Sequence, residues 1–258
     1  MTRPPIALTA PVGRDGAPFV VLGPSLGTST ILWEEVVPLL ASRFRVAAWD
    51  LPGHGAARPA TDPFTAGELA DAVASAVAGL GGPVSYAGVS LGGATGLELL
   101  LRHPDLVSRA AIVCASPVFG EPQGWHDRAA QVRAQGTPVL VRGSAERWFA
   151  PGSIARVPVL SGRLLHALSD ADDESYALCC EALAAYDVTD RLGGIATPLL
   201  AIAGSHDPVS PPAHAEAIAA GVQDGRAATI ADAGHLAPAE QPAAVAERLI
   251  AFFEGGTR

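Results

Sequence analysis

Tyr86-Ala87-Gly88-Val89-Ser90-Leu91-Gly92-Gly93 decides the reading of this chain. Gly88, Ser90 and Gly92 make a G-x-S-x-G pattern, in which a serine occupies a tight bend between a buried strand and a helix, its hydroxyl lifted clear of the sheet. The flanks agree with that placement. Pro83-Val84-Ser85-Tyr86-Ala87 is a short apolar run suited to an inner strand, and residues 94–102 form a leucine-rich amphipathic segment that stops before His103-Pro104. So sharp a bend strains the serine backbone, and side chains two residues to either side would collide with the crossing helix and strand, which gives Gly88 and Gly92 a physical purpose. The five-residue pattern alone also describes an ordinary glycine-rich loop, so the decision rests on the rest of the chain.

On the N-terminal side, residues 6–8 and 19–22 are two apolar runs separated by Pro11-Val12-Gly13-Arg14-Asp15-Gly16, a turn-forming stretch that predicts a hairpin. Gly23-Pro24-Ser25-Leu26-Gly27-Thr28-Ser29 follows as an irregular loop where an anion-binding loop would sit, and residues 33–42 resume a helical pattern. Residues 44–49 read as the next strand, Asp50-Leu51-Pro52-Gly53-His54-Gly55 as the turn leaving it, and 65–80 as an amphipathic helix with an alanine-rich face. Beyond the serine turn and its helix, residues 107–115 are another strand. Alternation of strand and helix predicts an α/β class fold with a mostly parallel sheet flanked by helices. From residue 117 to 191 the character changes to helix and loop rich in Arg and Trp, which predicts a helical lid over the sheet. Strand, helix, strand and helix then return at 198–204, 212–221, 227–230 and 243–253. The expected organisation is core 1–116, lid 117–191 and core 192–258, without internal repeats.

At 258 residues and 49% hydrophobic, the chain can bury one large core. Its net charge of −9 and absence of lysine argue against a nucleic-acid surface, which needs a clustered basic patch. No apolar run reaches the roughly 18 residues needed to span a bilayer, and Met1-Thr2-Arg3-Pro4-Pro5 does not open a secretory signal, so a cytoplasmic protein without membrane partners is expected. Cys114, Cys179 and Cys180, odd in number and two of them adjacent, suit reduced thiols packing a core, and their spacing is not that of a zinc site.

The returning strands carry the remaining chemistry. Asp207 lies in Gly204-Ser205-His206-Asp207-Pro208 and His235 in Asp232-Ala233-Gly234-His235-Leu236, each just past a strand. Alone, one reads as a turn or capping aspartate and the other as a loop histidine. Together with Ser90 they stand in the order Ser, Asp, His, all at the C-terminal ends of strands, the edge where an open parallel sheet gathers its ligand loops.

With these residues in place, the chain resembles α/β-hydrolase fold proteins over nearly its full length, and more narrowly the 3-oxoadipate enol-lactonases. The narrower resemblance rests on Ser25-Leu26-Gly27-Thr28, Gly88-Val89-Ser90-Leu91-Gly92-Gly93, Glu146-Arg147-Trp148-Phe149, and Tyr176-Ala177-Leu178-Cys179-Cys180 followed by Tyr186-Asp187-Val188. Pro24 departs from the polar residue expected before the oxyanion loop. Chemically, His235 would take the Ser90 proton while Asp207 orients the imidazole, and the backbone N–H groups of Leu26 and Leu91 would receive the oxyanion. The resemblance implies a small anionic lactone as substrate and no metal or organic cofactor. Arg147 would hold the substrate carboxylate and Trp148 would wall the ring, unless Arg147 lies in a solvated turn and Trp148 only packs the lid. Trp125, Arg128 and Arg133 are further lid candidates; His54 and the remaining histidines read as structural or surface residues. A general carboxylesterase, a carbon–carbon bond hydrolase, a cofactor-free perhydrolase and a non-catalytic binding protein of the same fold stay open.

Overall fold

The computed structural model describes residues 3–255. The strands are β1 (Ala7–Leu8), β2 (Phe19–Gly23), β3 (Arg45–Asp50), β4 (Val84–Val89), β5 (Val107–Val113), β6 (Leu199–Gly204) and β7 (Gly225–Ile230), and they join in one sheet ordered β1-β3-β2-β4-β5-β6-β7. All neighbours are parallel except β1, which runs antiparallel to β3. Every residue of β4 and β6 is buried. That is why their sequences are continuously apolar or small and show no alternation: helices cover both faces of such a strand.

Two local expectations are corrected. The hairpin does not form: β1 pairs with β3, through Ala7 opposite Asp50 and Leu8 opposite Trp49, because both edges of β2 are already occupied by β3 and β4. The turn-forming stretch instead carries the chain across β3, where Val12 bridges Val46. Residues 33–42 are not one helix either. A 3₁₀ turn, Thr30–Trp33, is followed by the five-residue helix Val37–Ala41. Pro38, with no N–H to give, sits in the first turn of the second piece, a position that tolerates proline where a helix interior does not.

The other helices lie where the pattern places them. The helix Ala66–Val77 opens on a reciprocal capping box, Thr65 accepting from the Glu68 N–H and Glu68 from the Thr65 N–H. It packs on the helix Leu91–Arg102, which covers β4 and β5. The segment between β5 and β6 is helical, with Pro122–Gln135, Val141–Trp148, Ser153–Arg156, Pro158–Asp170 and Asp173–Ala184. Its two ends are joined at a neck, where the Val188 N–H donates to the Pro117 carbonyl at 2.9 Å and Val118 bridges Asp187. Arg133 links the helices Pro122–Gln135 and Asp173–Ala184 by reaching both Glu174 and Glu181 on the outside of the lid. It is therefore a lid brace and not a cavity residue.

Candidate active site

Ser90 sits between β4 and the helix Leu91–Arg102 with φ 55° and ψ −115°, one of three described non-glycine residues with positive φ. Strain of this kind costs of order 1–3 kcal/mol and persists only where the surroundings enforce it. Here they do. The Ser90 N–H donates to the Val113 carbonyl at 3.0 Å, and a Cβ at Gly88 would lie 2.2 Å from the Gly92 carbonyl oxygen, so no residue with a side chain fits the crossing.

The loop after β2 closes against this turn. The Pro24 carbonyl accepts the Gly92 N–H at 2.9 Å, and a Cβ at Gly92 would lie 2.5 Å from that same oxygen. Thr28 returns both its N–H, at 3.0 Å, and its hydroxyl, at 2.8 Å, to the Ser25 carbonyl. Outside support comes from the end of β3 and the loop after it: the Gly27 N–H donates to His54 Nε2 at 3.2 Å, and the Thr30 N–H to Asp50 Oδ1 at 2.7 Å. Pro24 thus contributes its carbonyl, not an amide, and the loop's bonding is complete without a polar side chain there. Leu91 is the first residue of its helix, where an N–H has no intrahelical acceptor. The Gly92 N–H is taken by Pro24, whereas the Leu91 N–H lies beside Ser90 at the open end of the helix.

At the ends of β6 and β7, the His235 Nδ1 and the Asp207 Oδ2 lie 2.9 Å apart, both residues buried. The other carboxylate oxygen, Oδ1, accepts the N–H groups of Val209 at 2.8 Å and Ser210 at 3.0 Å. Burial alone would raise the Asp207 carboxyl, but His235 and the two amides outweigh it and hold the group below its ordinary range. The carboxylate is ionised and fixed in plane, which leaves Nδ1 as the protonated nitrogen and Nε2 as the basic one.

Ser90 and His235 line one cavity of about 230 Å³, together with Ser25, Leu26, Trp125, Arg128, Arg147, Trp148, Tyr176, Pro208 and Val209. Of the lid candidates, Arg147, Trp148, Trp125 and Arg128 are brought to the cavity. Arg128 lies 5.0 Å from the centre of the Trp125 ring and shares the cavity wall with Tyr176, and Trp125 is itself fixed by donating Nε1–H to the Phe119 carbonyl at 2.6 Å. Burial depresses the Arg147 guanidinium, and the neighbouring Arg128 depresses it further. No ion pair to a carboxylate forms at either arginine among the described residues. Tyr176, Pro208 and Val209 are lining residues that residue-by-residue reading did not assign, although Tyr176 belongs to a stretch on which the resemblance rested. A larger, open groove of about 920 Å³ runs outside the lid past Ile154 and Pro158. Neither Ser90 nor His235 lines it, so the smaller cavity is the candidate site.

Residues 20–248 match the model of the Alpha/beta hydrolase family. The chain is 32% identical over 246 residues to 3-oxoadipate enol-lactonase 2 of Acinetobacter baylyi, covering 95% of this chain and 92% of that protein. It is 26% identical to the carboxylesterase YbfK of Bacillus subtilis, covering 95% and 83%. Its structure is similar to that of the enol-lactonase from Burkholderia xenovorans, with a TM-score of 0.92 at 30% identity and 96% of each chain covered.

Proposed function

The chain belongs to the alpha/beta hydrolase family and is a hydrolase, and from that premise we propose that it opens the ring ester of 3-oxoadipate enol-lactone to give 3-oxoadipate. The observation that carries this reading is the pair of cavity arginines, Arg128 and Arg147, without a protein carboxylate to neutralise them. Two half-buried guanidiniums beside each other repel, and an anion between them relieves that repulsion; a carboxylate-bearing substrate supplies one. The cavity volume of about 230 Å³ lies below the roughly 300–1,000 Å³ that accommodates drug-sized ligands, which suits a compact lactone better than a long ester.

His235 Nε2 takes the Ser90 proton as Oγ attacks the ring carbonyl, and Asp207 stabilises the imidazolium. The oxyanion meets the N–H groups of Leu91 and Leu26, each such donor being worth about 10²–10³ in rate. Collapse expels the ring oxygen as an enolate, which the His235 imidazolium protonates to the enol, and the enol tautomerises to the ketone. Water, deprotonated by His235, then attacks the acyl carbonyl; His235 returns the proton to Ser90 Oγ as it leaves, and the second carboxylate is released. The Arg128 and Arg147 guanidiniums hold the first carboxylate, with Trp125 and Trp148 as walls.

Loss of lactone absorbance with purified enzyme tests the reading directly. Ser90→Ala should lower turnover by about 10⁶ with the fold retained. Arg147→Ala and Arg128→Ala should each raise KM for the anionic lactone about 10- to 100-fold, from the 1.5–3 kcal/mol of a charge-assisted bond, and barely change KM for a neutral aryl ester. Equal changes for both substrates would remove the anion role. The carboxylesterase relative favours a second reading, general ester hydrolysis, and a higher kcat/KM for the aryl ester than for the lactone would select it.

A further inference from the structure

Glu240 is a buried carboxylate that the reaction above does not use. It lies at the end of the short helix Ala237–Glu240, 2% exposed, and no cation pairs with it among the described residues. Both of its oxygens are occupied by backbone amides from separate parts of the fold. Oε1 accepts the Gly234 N–H at 2.8 Å, immediately before His235, and Oε2 accepts the Ala150 N–H at 2.7 Å, two residues beyond Trp148 in the lid. The two segments also meet directly, the Leu236 N–H donating to the Trp148 carbonyl at 3.2 Å. They approach so closely that a Cβ at Gly234 would lie 2.8 Å from the Ala150 nitrogen and 2.9 Å from the Trp148 oxygen.

A carboxylate without a counter-charge is an expensive group to bury, and its cost is offset here only by charge-assisted bonds to those two amides. Each amide flanks a residue of the cavity: His235 on one side, Trp148 on the other. We infer that Glu240 is a positioning residue, a strap that locks the loop carrying the base to the lid segment carrying the substrate wall, so that His235 and Trp148 keep one mutual geometry. The inference rests on His235 acting as base toward Ser90, but not on the identity of the lactone.

The test uses Glu240→Gln and Glu240→Asp in the full chain. A glutamine oxygen can accept one amide, but its NH₂ then faces the other donor; an aspartate keeps the charge but is one methylene too short to span both. The first readout is the rate at which a fluorophosphonate labels Ser90, which requires the base but no substrate anion. We expect at least a tenfold drop for the glutamine variant, partial recovery for the aspartate variant, and faster amide exchange at Gly234 and Ala150 in both. With lactone, the glutamine variant should lose kcat and raise KM together, and the KM effect should be less than additive with Trp148→Ala. A folded glutamine variant that labels at the wild-type rate would overturn the strap, leaving Glu240 a support of stability alone. Wild-type protein that labels at Ser90 but leaves the lactone intact would instead overturn the substrate reading, with the labelling comparison still deciding the role of Glu240. Should the glutamine variant not fold, the aspartate variant carries the same comparison, and wild-type labelling by it would equally overturn the strap.

Discussion

His54 shows how one buried side chain holds a catalytic loop by staying neutral. Its Nδ1 lies 2.8 Å from the Pro52 carbonyl, which accepts the ring proton, and Nε2 accepts the Gly27 N–H at 3.2 Å. The ring stacks on Tyr176, with centroids 6.1 Å apart. Burial, opposed by the Pro52 carbonyl and Asp172, lowers its pKa from 6.5 to about 4. Between those values the unfolded chain binds the proton and the folded one does not. Stability from this group is therefore complete above pH 6.5 and falls as pH drops toward 4, by up to about 1.4 kcal/mol per pH unit. His54→Gln should be less stable than wild type at pH 7 and should show a shallower decline in urea-unfolding free energy from pH 6.5 to 4. Identical slopes would mean that His54 titrates normally in the folded protein. The sequence places His54 in a turn, but its partner is 27 residues away and no local spacing points to it.

At the scale of the elements, the strand-turn-helix around Ser90 was readable because each of its constraints is local. Gly88 and Gly92 are demanded by atoms within a few residues or by one adjacent loop, and the apolar run before them is the signature of a strand buried on both faces. Strand partnership is a competition between distant segments, which is why the local turn signal points β1 to β2 although β3 offers the free edge. The gathering of Trp125, Arg128, Arg147 and Tyr176 is equally nonlocal. They come from three lid helices whose mutual packing no periodicity specifies. Gly92→Ala is the sharp test at this scale. Its Cβ would sit 2.5 Å from the Pro24 oxygen and 2.8 Å from the Gly23 carbonyl carbon, which are backbone atoms that cannot swing aside. The loop bearing Leu26 must move off the helix, at a cost of about 1–3 kcal/mol for overpacking. kcat should fall at least tenfold with KM little changed, because the oxyanion donors act in the transition state and not in ground-state binding. Normal kcat with normal stability would show that the two segments do not need this spacing.

Across the whole molecule, charge and cavity point in opposite directions. The chain carries −9, a value that on its own repels anions, yet Arg128 and Arg147 concentrate positive charge where the lid closes over Ser90. Composition argues against a nucleic-acid surface but cannot reveal an anion site, since the local potential depends on which few side chains the fold gathers. An anion held by lid arginines, with its far end against the Ser90 turn, bonds lid and core at once and must stabilise the protein as a unit. Adipate, the six-carbon dicarboxylate that keeps both carboxylates of the proposed product, is a suitable probe. At 100 times its Kd a ligand adds about 2.7 kcal/mol, and each kcal/mol moves the Tm of a chain near this size by about 2–4 °C, so a rise of about 5 °C or more is expected. Ser90→Ala should keep that rise, because the hydroxyl is needed for attack and not for the arginine contacts. Arg128→Ala and Arg147→Ala should each lose most of it, and the double variant all of it. If calorimetry finds the same adipate shift in the double variant as in wild type, the anion binds elsewhere and the two cavity arginines do not recognise the substrate.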